Sequence, residues 1–212
     1  MTNILVLKNS ILGSASASNE LVDFALDALG RAGDAPRIVT RDLARDPVAH
    51  LDGDGAAALR GQPPVTAGQA AALALSDQLV AELVAADTIV IGAPMYNFGM
   101  PSTLKAWFDH VLRAGVTFSY GEAGPRGLMT GKRAVVILAQ GGVYRDGPAA
   151  SMDSQEPHLR NLLAFIGITD IVVIHADGLA MGPDARQGGM DNARKAIAQR
   201  LDRAGTGRMM AG

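Results

Sequence analysis

The sequence predicts an α/β fold in which a five-stranded parallel sheet is covered by helices on both faces. Five short apolar runs alternate along the chain with segments whose apolar residues recur at helical spacing, and no internal repeat interrupts them. Strands that alternate with helices pair in parallel through right-handed crossovers. Hydrophobic residues make up 48% of the 212 residues, which is enough for the core of a single domain spanning residues 1–212.

Strands are predicted where the apolar runs end in polar residues or glycine, at 3–8, 37–40, 89–92, 133–139 and 170–175. Helices are predicted where apolar residues recur at helical spacing, at 19–32, 67–86, 102–108, 156–166 and 184–202. Two stretches are less regular. Residues 52–68 are rich in Gly, Ala and Pro, and we expect an irregular loop or lid with at most one helical turn. Residues 116–132 are expected to form a surface excursion that begins with a short extended segment.

Five strands fit the flavodoxin-like order 2-1-3-4-5, which gives a three-layer sandwich. In this order the loops after the first, third and fourth strands meet at the carboxyl edge of the sheet. Open α/β sheets bind ligands beyond that edge. The sequence therefore predicts a site built from residues 9–18, 94–98 and 140–142.

Composition argues against several functional classes. The net charge of -2 gives no electrostatic basis for binding nucleic acid or an acidic membrane surface. The N-terminal apolar run is too short for a signal peptide or a membrane span, so we expect no membrane insertion and a cytoplasmic location. The chain has no cysteine, which excludes disulfides and a thiol nucleophile. The four histidines are scattered, and we expect no metal site.

The first loop is rich in serine and leads directly into a helix. A helix N-terminus presents unpaired N–H groups and attracts anions, and hydroxyl groups add further donors. The hydroxyl groups that could hold a phosphate group belong to Ser10, Ser16 and Ser18. The alternative is that these serines serve only as turn residues and as the helix N-cap. No G-x-G-x-x-G or Walker A motif is present, which argues against a pyrophosphate site and an ATPase.

The second and third loops have the chemistry to hold a flat, heteroatom-rich ring. Met95, Tyr96 and Phe98 offer stacking surfaces, and Asn97 can pair with a ring edge. Small residues at 140–142 let main-chain N–H groups approach a ring edge that carries negative charge. With the phosphate site, these loops suggest a cradle for flavin mononucleotide (FMN). The alternative is an ordinary βα connection whose aromatic residues cap the core.

Three motifs carry a resemblance to a known family: PMYNF at 94–98, RAGVTF at 113–118 and GLMTGK at 127–132. In these motifs, and along nearly its whole length, the chain resembles the FMN-dependent NADH:quinone oxidoreductases of the bacterial azoreductase type. The resemblance implies a flavodoxin-like fold, tightly bound FMN and a homodimer with active sites at the subunit interface. It also implies ping-pong transfer of two electrons from NADH or NADPH, by way of the flavin, to quinones and aromatic azo compounds.

The resemblance assigns roles to individual residues. The FMN-binding residues that it implies are Ser10, Ser16, Ala17, Ser18, Pro94, Met95, Tyr96, Asn97, Phe98, Ala139, Gln140, Gly141 and Gly142. The acceptor pocket that it implies is lined by Phe98, Phe118, Tyr120, Tyr144 and Leu162. No side chain is assigned a catalytic role, because flavin N5 carries the hydride.

The chain departs from the family pattern at three places that concern acceptor preference and the flavin edge. Ala139-Gln140 stands where the pattern often has Ser-Arg, Leu162 where an aromatic residue is common, and Tyr144 where His is frequent.

Two other functions are compatible with the sequence. One is a flavodoxin-like electron carrier without turnover of its own, although 21 acidic against 19 basic residues give little sign of an acidic docking face. The other is a flavin-free hydrolase or regulatory domain. An FAD-binding branch of quinone reductases shares the architecture, but this short chain lacks an extended segment for the adenosine half.

Overall fold

A computed structural model describes residues 2–31 and 35–201. Its strands are β1 (Asn3–Lys8), β2 (Arg37–Asp42), β3 (Thr88–Pro94), β4 (Phe118–Gly121), β5 (Gly124–Gly127), β6 (Arg133–Ala139) and β7 (Asp170–Ala176). Its helices are α1 (Ala17–Arg31), α2 (Gly53–Ala58), α3 (Ala67–Ala85), α4 (Ser102–Val111), α5 (Gln155–Phe165) and α6 (Pro183–Leu201). Ala32 and Asp202, predicted as helix ends, lie outside the described residues. The prediction of one domain over residues 1–212 stays a prediction, because the structure does not describe all of those residues.

The main sheet has five parallel strands in the order β2-β1-β3-β6-β7. This confirms the predicted order, since β6 and β7 are the fourth and fifth strands of the predicted series. The central strand β3 is buried along its whole length, because it has a neighbour on each side and helices on both faces. All five strands run in one direction, and their carboxyl ends therefore lie along one edge.

Each face of the sheet carries its own hydrophobic core. One core joins the sheet to α1 and α6 through Leu21, Val22, Met190 and Ala193. The other joins it to α3, α4 and α5 through Leu83, Leu104, Trp107 and Leu163. The two layers of helices and the sheet between them form the predicted sandwich.

The two irregular stretches contain more secondary structure than the sequence indicated. Within residues 52–68, α2 starts at an N-cap, where the Asp52 carboxylate accepts a hydrogen bond from the Gly55 N–H at 2.8 Å. Within residues 116–132, the antiparallel strands β4 and β5 form a hairpin. The end of this hairpin packs closely against the turn after α5, where a Cβ atom on Gly127 would lie 2.1 Å from the Gly167 nitrogen. Among the described residues, no helix is long and apolar enough to cross a membrane.

Candidate functional site

Direct hydrogen bonds join the three predicted loops at the carboxyl edge of the sheet. The Ile11 N–H donates to the Tyr96 hydroxyl oxygen at 3.1 Å, which connects the serine loop to the loop after β3. The Met95 N–H donates to the Ala139 carbonyl at 2.9 Å, which connects the same loop to the end of β6. The loop after β3 therefore lies between the other two and is fixed to both.

The serine loop caps α1 and still keeps donors available. The Ser16 hydroxyl accepts the Asn19 N–H at 3.1 Å and lies 3.0 Å from the Ser18 hydroxyl. One of these two hydroxyl protons is used between the serines, so the other remains free to donate. The N–H groups of Ala17 and Ser18 belong to the first turn of α1 and have no carbonyl within the helix to pair with. Ser16 is thus an N-cap, which agrees with the alternative that these serines only cap the helix. The capping bond nevertheless leaves one serine hydroxyl and the N–H groups of Ala17 and Ser18 free to donate to a ligand.

Burial limits how the serine side chains can contribute. Ser10, Ser16 and Ser18 are at most 3% exposed, and Ala17 is 8% exposed. The Ser10 hydroxyl accepts the Leu12 N–H at 3.3 Å, so it also helps to shape the loop. An anion at this position would meet mainly the main-chain N–H groups and the positive end of the α1 dipole.

The loop after β3 contains a tight turn closed by two hydrogen bonds. The Tyr96 N–H donates to the Gly99 carbonyl at 3.0 Å, and the Gly99 N–H donates back to the Tyr96 carbonyl at 3.1 Å. The two central residues, Asn97 and Phe98, have φ angles of 48° and 68°. Asn tolerates this left-handed region, but a bulky residue such as Phe is strained there. Strain of this kind persists only where surrounding contacts enforce it, and it is common at ligand sites.

The turn after β6 is held from behind by the segment that follows β7. Gln140 uses its own N–H and carbonyl for bonds to Ala176 and Leu179, at 2.9 and 3.0 Å. Gly141 and Gly142 accept hydrogen bonds at their carbonyls, but within the described ranges neither of their N–H groups donates one. A Cβ atom on Gly142 would lie 3.0 Å from the Tyr144 hydroxyl oxygen, so a larger residue there would have to push the tip of that ring back. The turn presents two unpaired donors beside an aromatic side chain.

The residues present fit an FMN-like ligand in chemistry and in the order of their loops along the edge of the sheet. Unpaired N–H groups at Ala17 and Ser18 suit a phosphate group, and those at Gly141 and Gly142 suit a polar ring edge. The half-buried Met95 and Tyr96 and the exposed Asn97 and Phe98 lie between these two sets of donors. Ala139 and Pro94 are buried and hold the backbone of their loops rather than offering side chains.

Sequence reasoning missed three polar residues that hold this edge together, the buried Asn9 and Gln155 and the exposed Ser154. The Asn9 amide donates to the carbonyls of Leu7 and Gly92, at 3.1 and 2.9 Å, and so joins the ends of β1 and β3. Ser154 and Gln155, at the start of α5, contact the loops after β3 and β6. A single polar residue after a strand or before a helix gives no periodic signal, although its type and its position at the carboxyl edge could have drawn attention to it.

A cluster of titratable groups lies behind the turn after β6. His175 lies 3.1 Å from a Glu156 carboxylate oxygen and 3.9 Å from one of Asp177, and Arg145 lies 3.5 Å from the other Asp177 oxygen. Burial raises the pKa of the Asp177 carboxyl, and the nearby charges of His175 and Arg145 oppose that rise. Within residues 2–31 and 35–201, no cluster of His, Cys, Asp and Glu is arranged to hold a metal ion.

The predicted acceptor-pocket residues fall into two groups in a single chain. Phe98 packs edge-on against Tyr144, with ring centroids 5.7 Å apart. Phe118 packs against Tyr120 and Phe165, with centroids 5.5 and 4.6 Å apart. Leu162 is half-buried and packs against the core under α3, α4 and α5.

Helix α5 separates these two aromatic groups. Ser154, just before the helix, contacts Phe98, whereas Phe165, the last helical residue, contacts Phe118. A helix of 11 residues spans about 16 Å at 1.5 Å per residue. Phe98 and Phe118 therefore belong to two aromatic groups that contact opposite ends of α5.

Comparison with known proteins agrees with the geometry. Residues 2–201 match the family described as having a flavodoxin-like fold. The chain is 49% identical over 199 residues to the FMN-dependent NADH:quinone oxidoreductase of Hyphomonas neptunium, covering 94% of this chain and 95% of that protein. It is 48% identical over 197 residues to FMN-dependent NADH:quinone oxidoreductase 1 of Photobacterium profundum, covering 93% and 98%.

Solved structures extend the comparison. An azoreductase from Bacillus anthracis superposes with a TM-score of 0.88 at 26% identity, covering 96% of this chain and 100% of that chain. An FMN-dependent NADH-azoreductase from the same species, solved in complex with FMN, gives a TM-score of 0.85 at 26% identity, covering 97% and 100%. These matches confirm the predicted fold and the family resemblance. The chain belongs to the flavodoxin-like family of FMN-dependent NADH:quinone oxidoreductases.

Proposed function

We propose that this protein binds one FMN per chain at the carboxyl edge of the sheet and transfers two electrons from NADH or NADPH to quinones and aromatic azo compounds. The observation that carries the proposal is the junction of three loops by direct hydrogen bonds, with unpaired N–H groups at its two ends and aromatic side chains between them. When bound, FMN supplies the hydride chemistry, and the protein orients and tunes it. A ping-pong cycle, in which donor and acceptor use the same face in turn, is part of the proposal.

Each loop has a separate task toward the cofactor. The first turn of α1 would hold the phosphate through the N–H groups of Ala17 and Ser18 and one serine hydroxyl. The turn at Tyr96–Gly99 would support the ring, with the Asn97 amide directed to its edge. The N–H groups of Gly141 and Gly142 would stabilise negative charge that the ring carries after reduction.

The acceptor pocket is proposed to form between two copies of the chain. Phe98 and Tyr144 lie at one end of α5, Phe118 and Tyr120 lie at the other, and the helix between them is about 16 Å long. Tyr120 is 72% exposed on the hairpin, where a second copy could receive it. A two-fold homodimer would place the hairpin of one protomer over the ring loop of its partner. A cytoplasmic location and a lid role for residues 52–68 stay predictions.

The first experiment is the absorption spectrum of freshly purified protein, with the released cofactor identified by mass. A yellow protein that releases FMN supports the proposal, whereas a colourless protein that fails to take up FMN contradicts it. Steady-state oxidation of NADH with a soluble quinone then separates an enzyme from an electron carrier, which should show no turnover.

A variant that introduces a negative charge tests whether the phosphate group of FMN binds at the serine loop. Ser18→Asp would bring a carboxylate against the phosphate and should weaken FMN binding at least about tenfold by like-charge repulsion. Ser18→Ala is the matched control, since it keeps the main-chain donors and should have a smaller effect. Equal FMN affinity in Ser18→Asp and the unmodified protein would remove the serine loop from the site.

A further inference from the structure

The start of α5 makes polar contacts with both loops that would hold the flavin ring. The Ser154 N–H and hydroxyl both donate to the Phe98 carbonyl, at 3.1 and 2.8 Å. The next residue, Gln155, donates through its side-chain amide to the carbonyls of Ala93 and Pro94, at 3.1 and 3.0 Å. Two consecutive residues therefore fix both the beginning and the strained tip of the loop after β3.

Gln155 also connects this loop to the turn after β6. The Gln140 amide donates to the Gln155 side-chain oxygen at 3.2 Å, and both side chains are fully buried. Because the Gln155 NH2 group faces two carbonyls, its oxygen must face Gln140, and Gln140 must present its own NH2 group. The two amides can satisfy these bonds in only one orientation, and through them Gln155 joins the end of β3 to the turn after β6.

The Phe98 contact explains how the strained turn is kept. A phenylalanine at a φ of 68° is held in a conformation that it rarely adopts. Two donors on the Phe98 carbonyl fix the peptide plane that follows this residue, and so favour the strained geometry over a relaxed one. The direction of the Asn97 and Phe98 side chains thus depends on Ser154.

We propose that Ser154 and Gln155 are positioning residues that set the distance and angle between the two ring-holding loops. They act through the backbone of residues 93–98 and through Gln140. The inference rests on the proposed function, since it assigns these residues to the same FMN site. If the inference is correct, replacing Ser154 or Gln155 changes FMN affinity and midpoint potential more than an equal loss of unfolding free energy elsewhere in the protein does.

The test compares FMN affinity, midpoint potential and unfolding free energy in a small set of variants. Gln155→Met keeps the size of the side chain and removes its hydrogen bonds. We expect FMN to bind about tenfold more weakly, with a shifted midpoint potential and altered visible circular dichroism of the bound flavin. Ser154→Ala should give a smaller change of the same kind, and Ser154→Thr, which keeps the hydroxyl, should restore binding.

Two controls separate positioning from general loosening of the fold. Ser76→Ala removes a buried hydrogen bond, 2.6 Å from the Ser76 hydroxyl to the His110 carbonyl, where α3 packs on α4. It should lower the free energy of unfolding without changing the midpoint potential. Gln187→Met, on the exposed side of α6, should change neither quantity.

Each outcome decides between the inference and the proposed function. If Gln155→Met and Ser154→Ala bind FMN with unchanged affinity and potential, the inference fails and the proposed function stands. The inference also fails if Ser76→Ala shifts affinity and potential as much as Gln155→Met at equal loss of stability. If the unmodified protein does not bind FMN, the proposed function fails first. Should Gln155→Met not fold, the comparison of Ser154→Ala with Ser154→Thr still tests the inference.

Discussion

The two ends of α5 support aromatic residues in opposite ways. At the N-terminal end, polar groups of Ser154 and Gln155 hold a strained turn that leaves Phe98 38% exposed. At the C-terminal end, Phe165 packs on Phe118, and two glycine backbones touch where the hairpin meets the helix. One end is built by hydrogen bonds and presents a side chain, whereas the other is built by close packing and carries a projecting hairpin.

This difference suggests that the N-terminal end of α5 lies beside the ligand and that the C-terminal end positions the hairpin that would cover it. Hydrogen bonds fix direction, which a binding loop needs, whereas backbone packing fixes distance, which a projecting arm needs. Because about one helix length separates the two ends, the proposed pocket takes one end from each of two copies. Changes at the packed end should therefore cost stability, and changes at the polar end should cost binding.

The largest effect is expected at the packed end. In Gly127→Ala the new Cβ atom would lie 2.1 Å from the Gly167 nitrogen, and backbone atoms cannot move aside as a flexible side chain can. We expect a loss of at least about 3 kcal/mol in the free energy of unfolding, measured by denaturant titration. Gly121→Ala, in the same hairpin but facing open space, should change it by less than about 0.5 kcal/mol. Equal midpoints for the two variants would mean that the hairpin is not anchored there.

The next effect tests whether two copies share a pocket. Phe98→Ala and Tyr120→Ala each remove an exposed ring, so both variants should fold. With FMN added to saturation, because Phe98 also lies on the loop proposed to support the ring, each should lose at least about tenfold in kcat/KM for a quinone. Mixed dimers of the two variants should contain one intact site. After subunit exchange at equal concentrations, activity should recover to about a quarter of that of the unmodified protein.

The control for the mixing experiment is each variant alone, taken through the same exchange procedure. Hybrid dimers that form, as judged by mass, but remain inactive would show that Phe98 and Tyr120 do not meet across an interface.

The sheet could be predicted well because the spacing of apolar residues within each strand and helix is visible in a short stretch of sequence. Each strand of the main sheet was predicted within a few residues, and the largest difference is β3, which runs from Thr88 to Pro94 where 89–92 was predicted. The hairpin was read as an excursion, because glycine and proline in β5 suggest a loop when the pairing partner is not known. Which strands pair, and where two backbone segments lie close together, depend on contacts between distant parts of the chain, which composition does not show.

The loops that form the candidate site could be predicted from the sequence, but the contacts that fix their conformation could not. Serine before a helix and aromatic residues after a strand indicate chemistry by residue type alone. The left-handed Phe98 could not be foreseen, because bulky residues rarely adopt a positive φ and the enforcing contact comes from Ser154, 56 residues away. The resemblance implied one acceptor pocket at a subunit interface, and the structure places its aromatic residues in two groups at opposite ends of α5.

A smaller effect separates backbone from side chain at the polar end. Asn97 has a φ of 48°, which costs an Ala residue roughly 1 kcal/mol and costs Gly nothing. Asn97→Ala should therefore lower the free energy of unfolding by about 1 kcal/mol, whereas Asn97→Gly should leave it nearly unchanged. If the amide pairs with the ring edge, both variants should weaken FMN binding, measured by flavin fluorescence. Weaker binding in Asn97→Ala alone would assign the effect to the backbone.

The smallest effect concerns the charge of Asp177, beside the polar end of α5. Burial raises the pKa of this carboxyl, against the opposing charges of His175 and Arg145 and with help from Asp146 and Asp153. A pKa that is higher in the folded than in the unfolded state means that folding favours the protonated form. That contribution is complete below the unfolded value of about 4 and is lost as the pH rises through the folded pKa.

The unfolding free energy of the unmodified protein should therefore fall, relative to Asp177→Asn, as the pH rises above about 4. Urea titrations of both proteins at a series of pH values measure this difference. Asp184→Asn, on the exposed first turn of α6, is the control and should not reproduce the trend. A difference that stays constant with pH would mean that Asp177 titrates alike in both states. The polar end would then owe its order to the neutral amides of Gln140 and Gln155 rather than to the charges behind them.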